Sequence, residues 1–293
     1  MSIEKQTIFK GVATALITPF YKGEIDYEAL QNLIEMQIDA GVGAILLAGT
    51  TGESPTLSTK EHADMVRFAA RQIAGRLPLL AGCGSNSTAH ACELASAVAE
   101  AGADALLAVT PYYNRTNDRG IVMHYRTLAE STPKPLILYN VPARTGFSLT
   151  LSHYRELAEL PNIVAVKEAS PDLLQLASLC AECGPKLDIY TGNDHHTVAA
   201  MRLGAAGVIS VYSNIAPRSM TEICRLCTAE DWRLAYGRQK QALTKMQALF
   251  WETNPIPVKY VAAQMRLCHP EYRLPLCPPT GETARRLAEL FNL

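Results

Sequence analysis

The chain has 293 residues, room for one large domain or two small ones, and an α/β barrel of roughly 250 residues plus an appendage fits that length. Its 27 basic and 28 acidic side chains nearly cancel, which removes any electrostatic reason to expect nucleic acid or an anionic membrane as partner. No apolar run approaches the roughly 18 residues that span a bilayer, and the opening MSIEKQTIFKG lacks the apolar core of a signal peptide, so the expectation is a cytoplasmic protein.

Short apolar runs of strand type recur along the chain, each followed by a longer stretch of helical period. In order they are GVATALIT (11–18), AILLAG (44–49), LLAGCG (79–84), ALLAVT (105–110), PLILYNV (135–141), IVAVKEA (163–169), LDIYTGN (187–193) and GVISVYS (207–213). Continuous apolar strands without polar alternates belong to parallel sheets covered on both faces. Eight of them with helices between are the count of a (β/α)₈ barrel, although a doubly wound open sheet would accommodate the same alternation. Ser58 with Glu61 three residues on reads as a capping box, and Asp26, Thr88 and Pro171 suit first helical turns. Gly41, Gly75, Gly102, Gly184 and Gly204 suit helix ends. After residue 215 the strand signal stops. The remainder is helical, broken by Asn254-Pro-Ile-Pro and by LPLCPPTGE. The expected organisation is a barrel over 1–215 carrying the active site and a helical extension over 216–293 packed on it.

Eight cysteines include two C-x₂-C pairs, Cys180/Cys183 and Cys224/Cys227. Two such pairs can make a zinc site. Each pair, however, lies in an apolar run of helical type, where i and i+3 are neighbours on one face. Reduced core cysteine is the preferred reading, and no metal is expected. Asn86-Ser-Thr and Asn114-Arg-Thr match the glycosylation pattern but are silent without secretion.

In a barrel the active site gathers where the strands end at their C-termini. The polar residues there are Gly49-Thr50-Thr51-Gly52-Glu53, Tyr112-Tyr113-Asn114, Tyr139-Asn140 with Arg144 beyond, Lys167-Glu168, Gly192-Asn193-Asp194, and Ser210 with Tyr212 and Ser213. Lys167 follows Ile-Val-Ala-Val directly, so its side chain should face a poorly solvated barrel mouth. Poor solvation favours the neutral, nucleophilic amine, the form that attacks a ketone and makes an imine. The competing reading is an ion pair with a carboxylate such as Glu168, whose side chain points to the opposite face of a strand. The Gly-flanked GTTGE turn offers N–H groups to a carboxylate and two hydroxyls. Tyr139 is either a core phenol or a proton donor beside Lys167. Arg144 is either a solvated arginine or a bidentate clamp for a carboxylate. Asp194, His195 and His196 lack an evident third metal ligand and read as a helix start.

Taken together and in this order, GTTGE, VTPYYN, YNVPARTG, VKEAS and NPIPVK resemble the dihydrodipicolinate synthase / N-acetylneuraminate lyase superfamily over nearly the whole chain. The resemblance implies a class I lyase in which pyruvate forms an imine with Lys167. Its carboxylate sits on the Thr50–Thr51 turn, in a pocket lined by Gly192 and Ile209. Tyr139, Thr51 and Tyr113 match the family's proton relay, Tyr113 being lent by a neighbouring subunit of a homotetramer built as a dimer of dimers. Arg144 matches the arginine that binds the carboxylate of aspartate semialdehyde in the synthase branch, which serves the diaminopimelate and lysine pathway. No cofactor is implied, since the protonated imine is itself the electron sink. Ser54, His62, Asn86 and Tyr112 match a lysine-effector site at the subunit interface. The strongly inhibited bacterial pattern has His and Glu where this chain has Thr59 and His90, which puts feedback control in doubt. Thr116 and Asn193 also depart from the common pattern, in loops rather than in the core constellation. Two rivals remain at this point: an aldolase of the same superfamily acting on a keto-deoxy sugar acid or N-acetylneuraminate, and a catalytically silent binding protein on the same barrel.

Overall fold

The computed structural model describes residues 7–293; the first six residues of the N-terminal segment read above lie outside the described residues. Strands β1 (Gly11–Ala15), β4 (Ala44–Leu47), β5 (Leu79–Gly82), β6 (Ala105–Val109), β7 (Leu136–Asn140), β8 (Ile163–Glu168), β9 (Asp188–Thr191) and β10 (Gly207–Ser210) close into one parallel barrel, β10 returning to β1. These are the eight apolar runs of the sequence, so closure replaces the open-sheet alternative. A small antiparallel hairpin that periodicity did not mark, β2 (Phe20–Tyr21) with β3 (Glu24–Ile25), follows β1.

Helices α1 (Tyr27–Asp39), α2 (Thr59–Ile73), α3 (Thr88–Glu100), α4 (Asp118–Glu130), α5 (Pro142–Thr145), α6 (Leu151–Leu157), α7 (Leu173–Cys183) and α8 (Thr197–Arg202) fill the crossovers. Then come α9 (Pro217–Thr228), α10 (Trp232–Ala248), α11 (Ile256–Gln264) and α12 (Gly281–Phe291). The local signals behave as their chemistry requires. Ser58 and Glu61 form the reciprocal capping box of α2. Asp26 caps α1 through its side chain, Ser87 takes the cap just before Thr88, and Asp172 takes it just after Pro171. Gly41, Gly75, Gly102 and Gly204 adopt the left-handed φ that ends a helix; Gly184 instead stays right-handed at φ −52 as the cap of α7.

Two apolar layers hold the barrel. Inside lie residues such as Ala13, Leu46, Leu80, Leu107, Ile137, Tyr139, Ala165, Tyr190 and Ile209. Phe9 closes one end of this stack, its ring 4.1 Å from that of Tyr190, whose hydroxyl donates to the Phe9 carbonyl at 2.7 Å. Outside, a larger cluster packs strands against helices and continues without a break into the C-terminal segment through Met220, Met246, Val258 and Leu287. Helix α9 packs on β1 and α8, in the place of the barrel's eighth helix. The cysteine pairs sit on α7 and α9. Burial pushes the thiols of Cys183, Cys224 and Cys227 upward, which keeps them protonated. Among the described residues no group of three or more His, Cys, Asp or Glu is placed to hold a metal, and no helix is long and apolar enough to cross a membrane.

Candidate active site

All eight strands run parallel, so their C-terminal ends meet at one mouth. Lys167 and Tyr139 are register partners on β8 and β7 and therefore point the same way. Both are buried, and the Lys167 Nζ lies over the Tyr139 ring, 4.4 Å from its centroid. Gly192 makes room for the lysine. A Cβ there would stand 3.1 Å from Lys167 Cε and 2.6 Å from Ala169 Cβ, so any larger residue would push the lysine aside. Ile209 faces the same interior and is fully buried.

Glu168 is not the partner of Lys167. It faces outward, where its carboxylate accepts from both Asn140 Nδ2 (3.0 Å) and the Tyr154 hydroxyl (2.8 Å). It also accepts from Gln175 Nε2 (3.2 Å) and the Ser170 N–H (2.8 Å). Four donors satisfy it without a cation. Burial and this neighbouring carboxylate push the Tyr154 phenol well above its ordinary range. Strand alternation thus separates the two adjacent charges: Glu168 ties β8 to β7, α6 and α7, and Lys167 keeps the mouth.

The GTTGE segment forms a tight turn beyond β4. The N–H groups of Gly52 and Ser54 return to the Gly49 carbonyl (3.0 and 3.3 Å) and that of Glu53 to the Thr50 carbonyl (3.2 Å). The N–H groups of Thr50 and Thr51 have no backbone partner among the described residues, which leaves two adjacent donors for an anion. Thr50 is half-buried and Thr51 buried. Thr51 Oγ1 accepts from Asn254 Nδ2 at 3.0 Å, and the Asn254 carbonyl accepts from Arg144 Nη2 at 2.8 Å. Arg144 lies on the short α5, exposed, and makes no ion pair among the described residues.

Tyr113 is not brought to Lys167 within the chain. It stands 90% exposed on the loop after β6 with φ 70, a conformation a bulky residue rarely adopts. Of the four residues matched to an effector site, His62 is buried, and burial lowers its pKa. Ser54, Asn86 and Tyr112 are half-buried. The Asn86 carbonyl accepts from Asn114 Nδ2 at 2.9 Å, joining that segment to the Tyr112–Tyr113 loop.

Sequence reasoning gave no role to three residues that build this rim. Glu53 and Lys259 form an ion pair with both side chains fully buried. The ammonium also lies 4.1 Å from the Phe20 ring centroid, and the second Glu53 oxygen accepts from the Arg273 N–H at 3.3 Å. Burial pushes Lys259 below its ordinary value, opposed by Glu53. Asn254 is the third. The available signal was a lone lysine inside the apolar IPVKYVAA, which requires a buried anion.

The site thus joins a buried lysine against a phenol with a turn of N–H donors on the same rim of a (β/α)₈ barrel, and the class of the protein is a lyase on that barrel. Residues 8–292 match the model of the dihydrodipicolinate synthetase family. The chain is 44% identical over 97% of its length, and 98% of the relative's, to the 4-hydroxy-tetrahydrodipicolinate synthase of Geobacter metallireducens. It superposes on the crystal structure of dihydrodipicolinate synthase from Aquifex aeolicus with TM-score 0.95 at 41% identity, covering 97% of both chains. A structure described as the first monomeric dihydrodipicolinate synthase variant also matches, with TM-score 0.95 at 37% identity over 97% of this chain and 96% of that one. The chain belongs to the dihydrodipicolinate synthetase family.

Proposed function

We propose that the chain carries out the 4-hydroxy-tetrahydrodipicolinate synthase reaction, condensing pyruvate with L-aspartate 4-semialdehyde for diaminopimelate and lysine synthesis. The observation that carries this is Lys167: buried, held over Tyr139, and freed from Glu168 by strand alternation. The Lys167 amine attacks the pyruvate ketone and water leaves, giving a protonated imine. Loss of a methyl proton gives the enamine, whose carbon attacks the aldehyde. The amine of the second substrate then adds to the imine carbon and releases Lys167 as the ring closes. Thr50 and Thr51 hold the pyruvate carboxylate, Gly192 and Ile209 shape its pocket, and Tyr139, Thr51 and Tyr113 relay protons. Arg144 takes the carboxylate of the aldehyde, which sets this reading above a sugar-acid aldolase. The assay is purified protein with both substrates, coupled to a reductase that consumes the product.

Arg144 has one N–H on the Asn254 carbonyl and the rest of its fork available for a carboxylate. Losing a charged, partly desolvated partner costs about 2–5 kcal/mol. Arg144→Ala should therefore lower turnover with aspartate semialdehyde by roughly 30-fold or more and leave imine formation with pyruvate largely intact. Arg144→Lys should recover part of the loss, since a point charge lacks the fork. Near-normal turnover of the alanine variant would remove Arg144 from the binding of the second substrate.

The working protein is read, from its likeness to the family, as a cytoplasmic homotetramer, a dimer of dimers, in which Tyr113 is lent to a neighbour's site; its 90% exposure on its own barrel supports this. Activity should fall on dilution together with the oligomer. An active monomer, seen by kinetics and sedimentation at one concentration, contradicts this. The Ser54, His62, Asn86 and Tyr112 cluster is read as a weak effector site. A buried ligand ammonium needs an anion, and His90, exposed and 3.3 Å from Glu93, does not supply one. Calorimetry should show weak or no binding of L-lysine; tight binding lost on changing His62 or Tyr112 would prove the opposite.

A further inference from the structure

Asn140 and Glu168 stand directly behind the reacting pair. They follow Tyr139 and Lys167 on β7 and β8, they are register partners as those two are, and alternation turns them to the other side of the barrel wall. Both are buried. They take part in a closed ring of hydrogen bonds around one residue of the next loop. Asn140 Nδ2 donates to the Glu168 carboxylate at 3.0 Å, and Asn140 Oδ1 accepts at 3.0 Å from the N–H of Leu149, nine positions along the chain. The Leu149 carbonyl accepts from Gln175 Nε2 of α7 at 3.1 Å, and the same Nε2 reaches Glu168 at 3.2 Å.

One charge sets the polarity of this ring. An ionised carboxylate only accepts, so an amide that faces it turns its NH₂ towards it. The Asn140 oxygen is then left for the Leu149 N–H. Asn140 precedes and Leu149 ends the 141–149 loop, which carries Arg144. Within that loop the chain is bonded to itself. The N–H groups of Arg144 and Thr145 reach the Val141 carbonyl (2.9 and 3.1 Å), and that of Gly146 reaches the Pro142 carbonyl (2.9 Å). The loop is thus one piece, and its direction is decided where its two ends meet. The Leu149 side chain is buried in the outer core, which holds the residue in place. The two hydrogen bonds set how its peptide groups are turned.

We propose that Asn140 and Glu168 are positioning residues for the second substrate: the Glu168 carboxylate orients the Asn140 amide, which ties the two ends of the 141–149 loop together and so sets the direction of the Arg144 guanidinium. This rests on the reading of Arg144 as the group that takes the carboxylate of the aldehyde. Adjacent positions on each strand then serve different substrates. Tyr139 and Lys167 meet pyruvate on the inner face, and Asn140 and Glu168 act on the aldehyde through the outer one.

The test uses the full-length protein carrying Asn140→Leu, Asn140→Asp, Arg144→Ala, and Asn140→Leu with Arg144→Ala, each with its melting temperature measured. Asn140→Leu removes both bonds without emptying the space. It should lower kcat/KM for aspartate semialdehyde by about tenfold or more, while the rate of the borohydride-trapped pyruvate adduct on Lys167 changes less than about threefold. A general loss of packing would lower both. Asn140→Asp sets two carboxylates against each other at high pH. As pH falls, its kcat/KM relative to wild type should rise, because a protonated carboxyl donates to Glu168 where the amide did; the Asn140→Leu ratio should stay flat. Among the described residues the other titratable group bonded to Glu168 is the Tyr154 phenol, with Tyr125 and Cys183 behind it, and burial keeps all three protonated. On the Arg144→Ala background Asn140→Leu should cost less than about a further twofold, since groups acting through one another are not additive. Unchanged kcat/KM in Asn140→Leu, an equal loss of the adduct, a flat ratio for Asn140→Asp, or full multiplication with Arg144→Ala overturns the inference. If Asn140→Leu does not fold, Gln175→Leu decides, because it cuts the ring from α7 and leaves both strands alone. It should lower kcat/KM for aspartate semialdehyde by about threefold or more with the adduct unchanged, and no loss overturns the inference. Failure of the reading beneath it looks different: Arg144→Ala then turns over aspartate semialdehyde normally.

Discussion

Lys167→Ala should abolish the pyruvate adduct that borohydride fixes to the wild-type protein and should lower turnover by roughly 10³-fold or more. The loss follows from chemistry rather than packing. Among the described residues the other buried lysine, Lys259, is committed to Glu53. Lys167→Arg should not rescue it, because a guanidinium stays protonated and does not attack a ketone. Peptide mass after reduction gives the position of the adduct. An adduct on another lysine, or none in the wild type, would remove the central claim about this site. The same experiment separates the enzyme from a silent binding protein, which would hold pyruvate without reacting.

The second large effect should come from Lys259→Met. It leaves Glu53 charged, fully buried and short of its cation, a change that typically costs about 3–5 kcal/mol. For a chain of this length that corresponds to a fall in melting temperature of roughly 5–15 °C. Glu53→Gln in the same protein should recover much of the loss, because an amide in that space no longer demands a counter-ion, and the Arg273 N–H can still donate to it. Glu53 ends the GTTGE turn, so the single variant should also raise KM for pyruvate more than it lowers kcat. A melting temperature within a degree or two of wild type would show that the pair does not anchor the rim.

Both effects bear on what the C-terminal segment is for. Lys259 and Asn254 reach the same turn from the segment that holds Pro255 and Pro257, one through the Glu53 carboxylate and the other through the Thr51 hydroxyl. Arg273 adds a third attachment, its guanidinium bonded to Glu61 on α2 at 2.6 Å and to the Thr56 carbonyl at 3.0 Å. Arg273 holds the Glu61 carboxyl down to about 2, so this clasp stays charged across the physiological range. The segment is thus a structural part of the site and shares the barrel's outer core.

The sequence by itself determined the eight buried parallel strands and singled out Lys167 as the candidate nucleophile at their C-terminal ends. Eight apolar runs without polar alternates have one economical arrangement, strands covered on both faces, and the structure decided that they close into a barrel rather than an open sheet. Period-two geometry likewise dictated that Lys167 and Glu168 part company, and the capping box at Ser58 followed from residues three apart. These are short-range rules, each written within a few residues. Only the tertiary structure decided which distant groups meet. Glu53 with Lys259 and Thr51 with Asn254 lie 206 and 203 positions apart. Neither partner's local sequence encodes the other, because such pairs form only when the crossovers and α9 to α11 have packed. The exposure of Tyr113 is of the same kind. Its sequence reads as a loop tyrosine, and the closed barrel alone shows that it stands away from its own lysine. Periodicity describes what a segment buries; what a side chain touches across the mouth depends on how the whole chain returns to it.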